Sequence, residues 1–358
     1  MNARTNVQTS VWERTLPYAM PLLLLVAFAL RMLFVGASGF TTDVNTFVAW
    51  TLSVLDNGFA HFYTKTSFAD YPPGYLYILG IFGHLWMPFR SLDPQFNILR
   101  IVVKLPAILA DLGIGWLIYA VGRRFAAHAV ALGAAAVYLF NPASIMNSAD
   151  WGQVDSVGGA FALLAAYLLL KSDDEGAGRR WLIPAGWVAL AYSLLVKPQA
   201  AVLILIFLAF AFADRTKLRE RLVATGIGVL AAIVFSMLLA LPFHPTVNPF
   251  EALRWLIERY AFGSSVYDYN SVNAFNLWAI RQEMWTKDNQ MIGWWFLQFP
   301  QYVWGIVLLL AALALVLWRY LQERTAAAFM ESCTIALLAF YILATRMHER
   351  YSFDALMF

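Results

Sequence analysis

Charge is what this sequence has least of. Asp, Glu, Lys and Arg make up 13% of its 358 residues against 61% apolar, and the mean hydropathy is +0.62. A domain that faces water on all sides carries about 25% charge, so much of this surface must face lipid. The net charge of +3 is small and no Lys/Arg-rich run exists, which excludes the electrostatic footprint of a nucleic-acid binder. A single cysteine, Cys333, excludes an intrachain disulfide. The absence of C-x-x-C and H-E-x-x-H motifs removes the usual footholds for zinc.

What is present is a series of apolar runs, each near the ~20 residues a helix needs to cross a bilayer. The spans expected are 18–36, 98–121, 128–149, 156–170, 181–196, 198–213, 222–243, 302–318 and 326–345. Tyr18–Val35 follows a tail with Arg4 and Arg14 and could be taken for a signal peptide ending near Ala37. The runs that follow favour a retained first helix. The fold class is thus an all-α polytopic membrane protein with about nine to ten transmembrane helices, read as one domain over 1–358. Ser352–Phe358 would begin a tenth crossing, so the chain reads either as a fragment or as one whose last helix never crosses. Residues 74–89 are apolar but bounded by Pro72-Pro73 and Pro88, and 74–97 is read as a re-entrant or juxtamembrane helix.

Short loops set orientation. Arg123-Arg124, Lys171 with Arg179-Arg180, Arg215 to Arg221, and Arg319 with Arg324 mark the cytoplasmic face. The loops 37–97 and 244–301, the turn 150–155, Lys197-Pro198-Gln199 and 346–350 then share the outer face. Every loop with unusual chemistry falls on that side.

Asp43 stands at the start of a helix whose Phe47, Trp50 and Val54 share one face. It could cap that helix, act as a general base, or both. Asp70 and Tyr71 are fixed by the two prolines that follow. Asp150, Trp151, Gln153 and Asp155 crowd a very short turn. Lys197, beside Gln199, interrupts an apolar stretch, where a lysine costs at least ~2–3 kcal/mol unless it reaches water or an anion. Arg346, His348, Glu349 and Arg350 follow the ninth run and suggest anion binding. Lys104 and Asp111, seven apart, are placed as an intramembrane ion pair, a feature of transporters as well as of structural cores. The loop 244–301 holds an amphipathic helix with Phe250, Leu253, Leu256, Ile257 and Tyr260 on one face. Beyond it, aromatics interleave with amides, Asn273 among them, a combination suited to sugars and also to an interfacial aromatic belt.

In order along the chain, Asp43, Asp70-Tyr71-Pro72-Pro73, Trp151-Gly152-Gln153-Val154-Asp155, Lys197-Pro198-Gln199 and His348-Glu349-Arg350 resemble the GT-C superfamily of membrane glycosyltransferases. The pattern is similar to bacterial mannosyltransferases related to the second mannosyltransferase of GPI-anchor assembly, and more distantly to dolichyl-phosphate-glucose glucosyltransferases. The resemblance implies a multi-pass enzyme of the bacterial plasma membrane with its active site on the periplasmic or outer face. It implies inverting transfer of a hexose, mannose or glucose, from a polyprenyl-phosphate donor to a glycan or lipid-linked acceptor, with Asp43 as the base. A phosphate already leaves well, so the scheme needs cations to receive its charge and no second carboxylate acid. Lys197, Arg346, His348 and Arg350 are the candidates. It needs no cofactor, although Asp150 and Asp155 leave a divalent metal open. The competing reading is a secondary transporter or lipid-linked-sugar flippase, for which Lys104–Asp111 is the best argument.

Overall fold

The computed structural model describes residues 11–174, 179–246, 248–281 and 283–358; Arg4 of the basic tail lies outside them. In chain order the helices are α1 (Val11–Phe34), α2 (Thr41–Lys65), α3 (Gly74–Trp86), α4 (Asn97–Val102), α5 (Leu105–Gly122), α6 (His128–Leu139) and α7 (Pro142–Ile145). A π-helical turn, Met146–Trp151, leads from α7 to α8 (Asp155–Lys171) and α9 (Leu182–Val196). After the 3₁₀ turn Pro198–Val202 come α10 (Leu203–Phe210), α11 (Leu218–Ala240), α12 (Pro249–Val266), α13 (Gln301–Glu323) and α14 (Ala326–Leu343).

Helices occupy all nine stretches expected to cross, but length and apolarity carry only some of them. Among the described residues four qualify: Asn97–Gly122, Leu218–Ala240, Gln301–Glu323 and Ala326–Leu343. A fifth is added if His128–Leu139 and Pro142–Trp151, bent by 49°, make one span. The other expected crossings are shorter. α8 and α9 have 17 and 15 residues, under the ~20 a lone helix needs, and each is covered along its length by neighbours: α8 by α5 and α9, α9 by α8 and α11. On α11 and α13 the opposite holds, with Leu230 and Leu315 exposed on faces that only lipid would welcome. The expected start of a tenth crossing, Ser352–Phe358, falls in the segment that follows α14. That segment is a 3₁₀ helix, Glu349–Met357, folded into the bundle with Phe353 against Tyr138 and Met357 against Gly159.

α3 is 13 residues long. It packs with α2 through Phe47, Trp50, Phe62, Tyr75 and Leu79, an aromatic cluster that fixes the first loop against the end of α9. The amphipathic helix expected within 244–301 is α12, with Ala252 and Leu256 buried and Phe250 and Ile257 exposed. Two small sheets were not foreseen. Strand β1 (Ser271–Val272) runs parallel to β4 (Met347–His348), tying the long outer loop to the segment after α14. Strands β2 (Met291–Trp294) and β3 (Leu297–Pro300) form a hairpin just before α13.

Lys104 and Asp111 do not pair. Asp111 takes Arg31 of α1 instead, Nε to Oδ2 at 2.9 Å, with neither side chain exposed. Three hydroxyls complete it: Ser148 at 2.5 Å on Oδ2, and Tyr138 at 2.8 Å and Ser156 at 2.5 Å on Oδ1. The rest of the Arg31 guanidinium donates to the carbonyls of Ala27 and Leu139 and to Ser144 Oγ. Lys104 sits at the N-cap of α5, where its ammonium reaches backbone carbonyls rather than a carboxylate about two turns further on.

Removing one partner of such a buried pair leaves the other charge uncompensated, at a cost of about 3–5 kcal/mol. Arg31→Ala and Asp111→Ala should each lower the unfolding temperature in detergent markedly. The double substitution Arg31→Met/Asp111→Leu should do less damage than either, because both charges go together. A double variant as unstable as the sum of the singles would show that the network does not act as one unit.

Candidate active site

The site is assembled on a corner that Lys104 ties together. Its Nζ donates to the carbonyls of Val35 (3.2 Å), Ala37 (2.7 Å) and Asp150 (2.9 Å), which draws the π-helical turn against the loop between α1 and α2. Two glycines make this approach feasible. Gly39 (φ +64°) lies so close to the Asp150 carbonyl that a Cβ would collide with it, and Gly152 (φ +79°) lies against the Lys104 side chain. Both backbones are left-handed, the region glycine enters without penalty.

The corner presents Trp151 and Gln153 to Asp43. Trp151 Nε1 donates to Asp43 Oδ2 at 3.0 Å and Gln153 Nε2 donates to the same oxygen. Asp43 does not cap its helix: the N-cap is Phe40, with no side-chain cap bond. One carboxylate oxygen is therefore pinned by two donors and the other is left for a further partner. Asp155 is the first residue of α8, whose N-cap is Val154. Its carboxylate pairs with Lys197 and accepts from Asn147 Nδ2 at 3.2 Å.

Lys197 follows the last turn of α9 in an extended conformation (φ −153°) that Pro198 then terminates. Its ammonium lies 5.3 Å from the Tyr71 ring centroid and 5.6 Å from that of Tyr351, within cation–π range. Arg350 joins the two carboxylate centres. Its Nε is 4.0 Å from Asp155 Oδ2, and its guanidinium lies 5.8 Å from the rings of both Trp151 and Tyr351. Glu349 is 3.5 Å from it on another side. Four buried polar atoms here have no hydrogen-bond partner among the described residues: Asn147 Oδ1, Gln153 Oε1, Glu349 Oε2 and Arg350 Nε. Such groups are costly unless something hydrogen-bonds to them, and they can serve a bound molecule.

A cavity of about 320 Å³ opens beside this cluster, lined by Asp70, Tyr71, Lys197, Gln199, Arg346 and His348, with Tyr260 and Tyr267 from the α12 side. Burial raises the Asp70 carboxyl above its ordinary value, although Lys197 and Arg350 pull the other way. His348 does not supply the positive charge expected of it. Burial, reinforced by the charges of Arg350 and Lys197, lowers its pKa to about 3, so it is neutral at physiological pH. Arg346 is committed elsewhere: its guanidinium holds Asp288 (2.7 and 3.3 Å) and the Ser264 carbonyl (2.9 Å). It is a strut for the loop, because the nearly buried Asp288 gives it a counter-charge that the spacing of the sequence did not suggest.

Asn273 is exposed and accepts from Trp285 Nε1 at 2.8 Å, so its amide faces the indole and not the cavity. Asp150 contributes through its backbone carbonyl. Among the described residues no three of His, Cys, Asp and Glu converge as a metal centre would need. Tyr351 and Asn147, which touch the cations and Asp155, carried no signal in the sequence beyond adjacency to Arg350 and to the 150–155 turn.

Residues 70–240 match the family model of the dolichyl-phosphate-mannose-protein mannosyltransferases. The match supports the resemblance at the level of a GT-C-type mannosyltransferase, a membrane-embedded transferase of glycosyl groups. It includes Asp70, Tyr71, Asp155, Lys197 and Gln199 and stops short of Asp43 and of 346–350. No curated protein matches the chain.

His348 offers a pH test. Its folded pKa lies below the ordinary 6.5, so the unfolded chain binds the extra proton first and stability falls as pH drops from about 6.5 towards 3. His348→Gln removes that component. The unfolding-temperature difference between wild type and variant should shift against the wild type between pH 6.5 and 4, as read by thermal melts in detergent. A pH-independent difference would mean that His348 protonates freely in the fold.

Proposed function

We propose that this chain is an inverting glycosyltransferase that moves a hexose, mannose or glucose, from a polyprenyl-phosphate donor to a glycan or lipid-linked acceptor at the periplasmic, outer face of a bacterial plasma membrane. The observation that carries the reading is that a half-held carboxylate, Asp43, at the indole N–H and a cationic group, Arg350, over the ring both meet Trp151. Transfer from a sugar phosphate needs these two elements. Asp43 takes the proton from the acceptor hydroxyl as that oxygen attacks the anomeric carbon. The bond from the anomeric carbon to the phosphate oxygen breaks, and the released phosphate carries its new charge against Arg350 and the Lys197 ammonium. Asp155 holds Lys197 in place, and Trp151 and Gln153 hold Asp43 with one oxygen free. A flippase is less well supported, since the intramembrane Lys104–Asp111 pair that argued for it does not form.

The location rests on the basic loops, Arg215 to Arg221 and Arg319 with Arg324, which by the positive-inside tendency belong in the cytoplasm. The native Cys333 is fully buried and gives little background. A cysteine at exposed Phe275 should react with an impermeant thiol reagent applied from outside, and one at Lys217 should not. The reverse pattern would place the site in the cytoplasm.

Asn is nearly isosteric with Asp and cannot accept a proton at the same pKa. Asp43→Asn should therefore lower transfer from labelled polyprenyl-phosphate mannose or glucose by roughly 10²–10⁴-fold, with donor binding retained. Arg350→Ala should weaken donor binding by about 1.5–3 kcal/mol, the range for a lost charge-assisted bond. Near-normal turnover in Asp43→Asn together with loss in Asp70→Asn would move the base to Asp70.

A further inference from the structure

At the end of the bundle away from Asp43, a polar cavity of about 490 Å³ lies among the ends of α8, α10 and α13 and the starts of α11 and α14. Its charged lining is Arg215, Lys217, Arg221 and Arg324 against Asp173 and Asp214, four cations to two carboxylates. Both carboxylates are already engaged. Asp173 pairs with Arg221, whose side chain is only 7% exposed and whose Nη1 also donates to the Phe210 carbonyl at 2.9 Å. Asp214 accepts from the Thr216 N–H and hydroxyl and lies 3.8 Å from Lys217. The positive charge in excess therefore belongs to Arg215 and Arg324.

Arg324 is held at the cavity by its backbone. It adopts φ +51° at the end of α13, unusual for a side chain of its size, and its Nε donates to the Leu321 carbonyl at 2.6 Å. Thr325 and Ala326, also in the lining, open α14. Thr325 caps that helix through the Ala328 N–H, so the N–H groups of Ala326 and Ala327 stay without an intrahelical partner. Basic loop residues that serve only to orient a chain in the membrane need no cavity. Here a nearly buried arginine, two surplus guanidiniums and a helix start enclose one.

We infer that this cavity is a second ligand site, separate from the transfer centre, which binds a phosphate group carried either by an anionic lipid headgroup or by a free phosphate compound. Arg215 and Arg324 make the charge-assisted contacts, and Arg221 with Asp173 forms the rigid floor. None of these residues belongs to the cluster around Asp43, so this inference stands or falls independently of the proposed transfer reaction.

The test uses the purified full-length chain in detergent. Native mass spectrometry reads retention of phosphatidylglycerol, of phosphatidylcholine as the neutral-headgroup control, and of inorganic pyrophosphate in a separate titration. Arg215→Gln/Arg324→Gln is compared with wild type, and Arg221 is left intact because it holds the fold. Phosphatidylglycerol should be retained over phosphatidylcholine, and the double variant should lose that preference by roughly tenfold for each cation removed. Saturable pyrophosphate binding lost in the same variant would assign the site to free phosphate compounds instead. Should the double variant fail to fold, Arg215→Gln alone, an exposed position, carries the comparison. Equal retention of both lipids with no saturable pyrophosphate binding in wild type, or binding unchanged in a folded variant, would overturn the inference.

Discussion

The ion pair between Arg31 and Asp111 is the constraint on which the rest of the architecture depends. A guanidinium and a carboxylate with no exposed surface are costly to bury unless every donor and acceptor is satisfied. Here α1, α5, α6, α8 and the π-helical turn each supply a partner. The same turn begins at Met146 and ends at Trp151. The network that neutralises the buried charge therefore also fixes where the indole that holds Asp43 can stand.

Three levels follow from that anchor. Lys104 binds the end of the turn to the first loop through carbonyls alone, which leaves the Asp43, Asp70 and Asp155 carboxylates free of structural duty at that corner. Asp155 and Lys197, from consecutive helices α8 and α9, then neutralise each other beneath the cavity. Arg350 arrives from the far end of the chain and stacks over rings of both layers. The parallel pairing of β1 with β4 brings that distant segment into register.

Much of this was legible because the membrane simplifies the code. Long apolar runs can only be helices there, so α5, α11, α13 and α14 were readable from composition. Carboxylates, amides and cations in short outer loops stood out against that background, and Asp43, Gln153, Asp155, Lys197 and Arg350 do come together. What the sequence hid was partnership. Arg31 lies within the apolar run 18–36, and nothing in its spacing points to Asp111. Arg346 and His348 looked like anion ligands beside Arg350. A distant aspartate, Asp288, neutralises the first, and close packing discharges the second. Helix count was the other limit. Apolarity marks a segment as buried from water but does not distinguish lipid from neighbouring helices, and α8 and α9 are wrapped by the latter.

The separation of Arg31 and Asp111 along the chain also bears on biosynthesis. A nascent chain emerges from its N-terminus, so α1 reaches the membrane before the carboxylate that will neutralise its arginine has been made, 80 residues later. Arg31 lies in the last turn of α1, where its long stem can carry the guanidinium to the aqueous boundary in the meantime. Burial of that charge must then wait for α5 to dock. The first helix thus enters the bilayer in one electrostatic state and ends in another, and the bundle closes only when the later helix arrives to receive it.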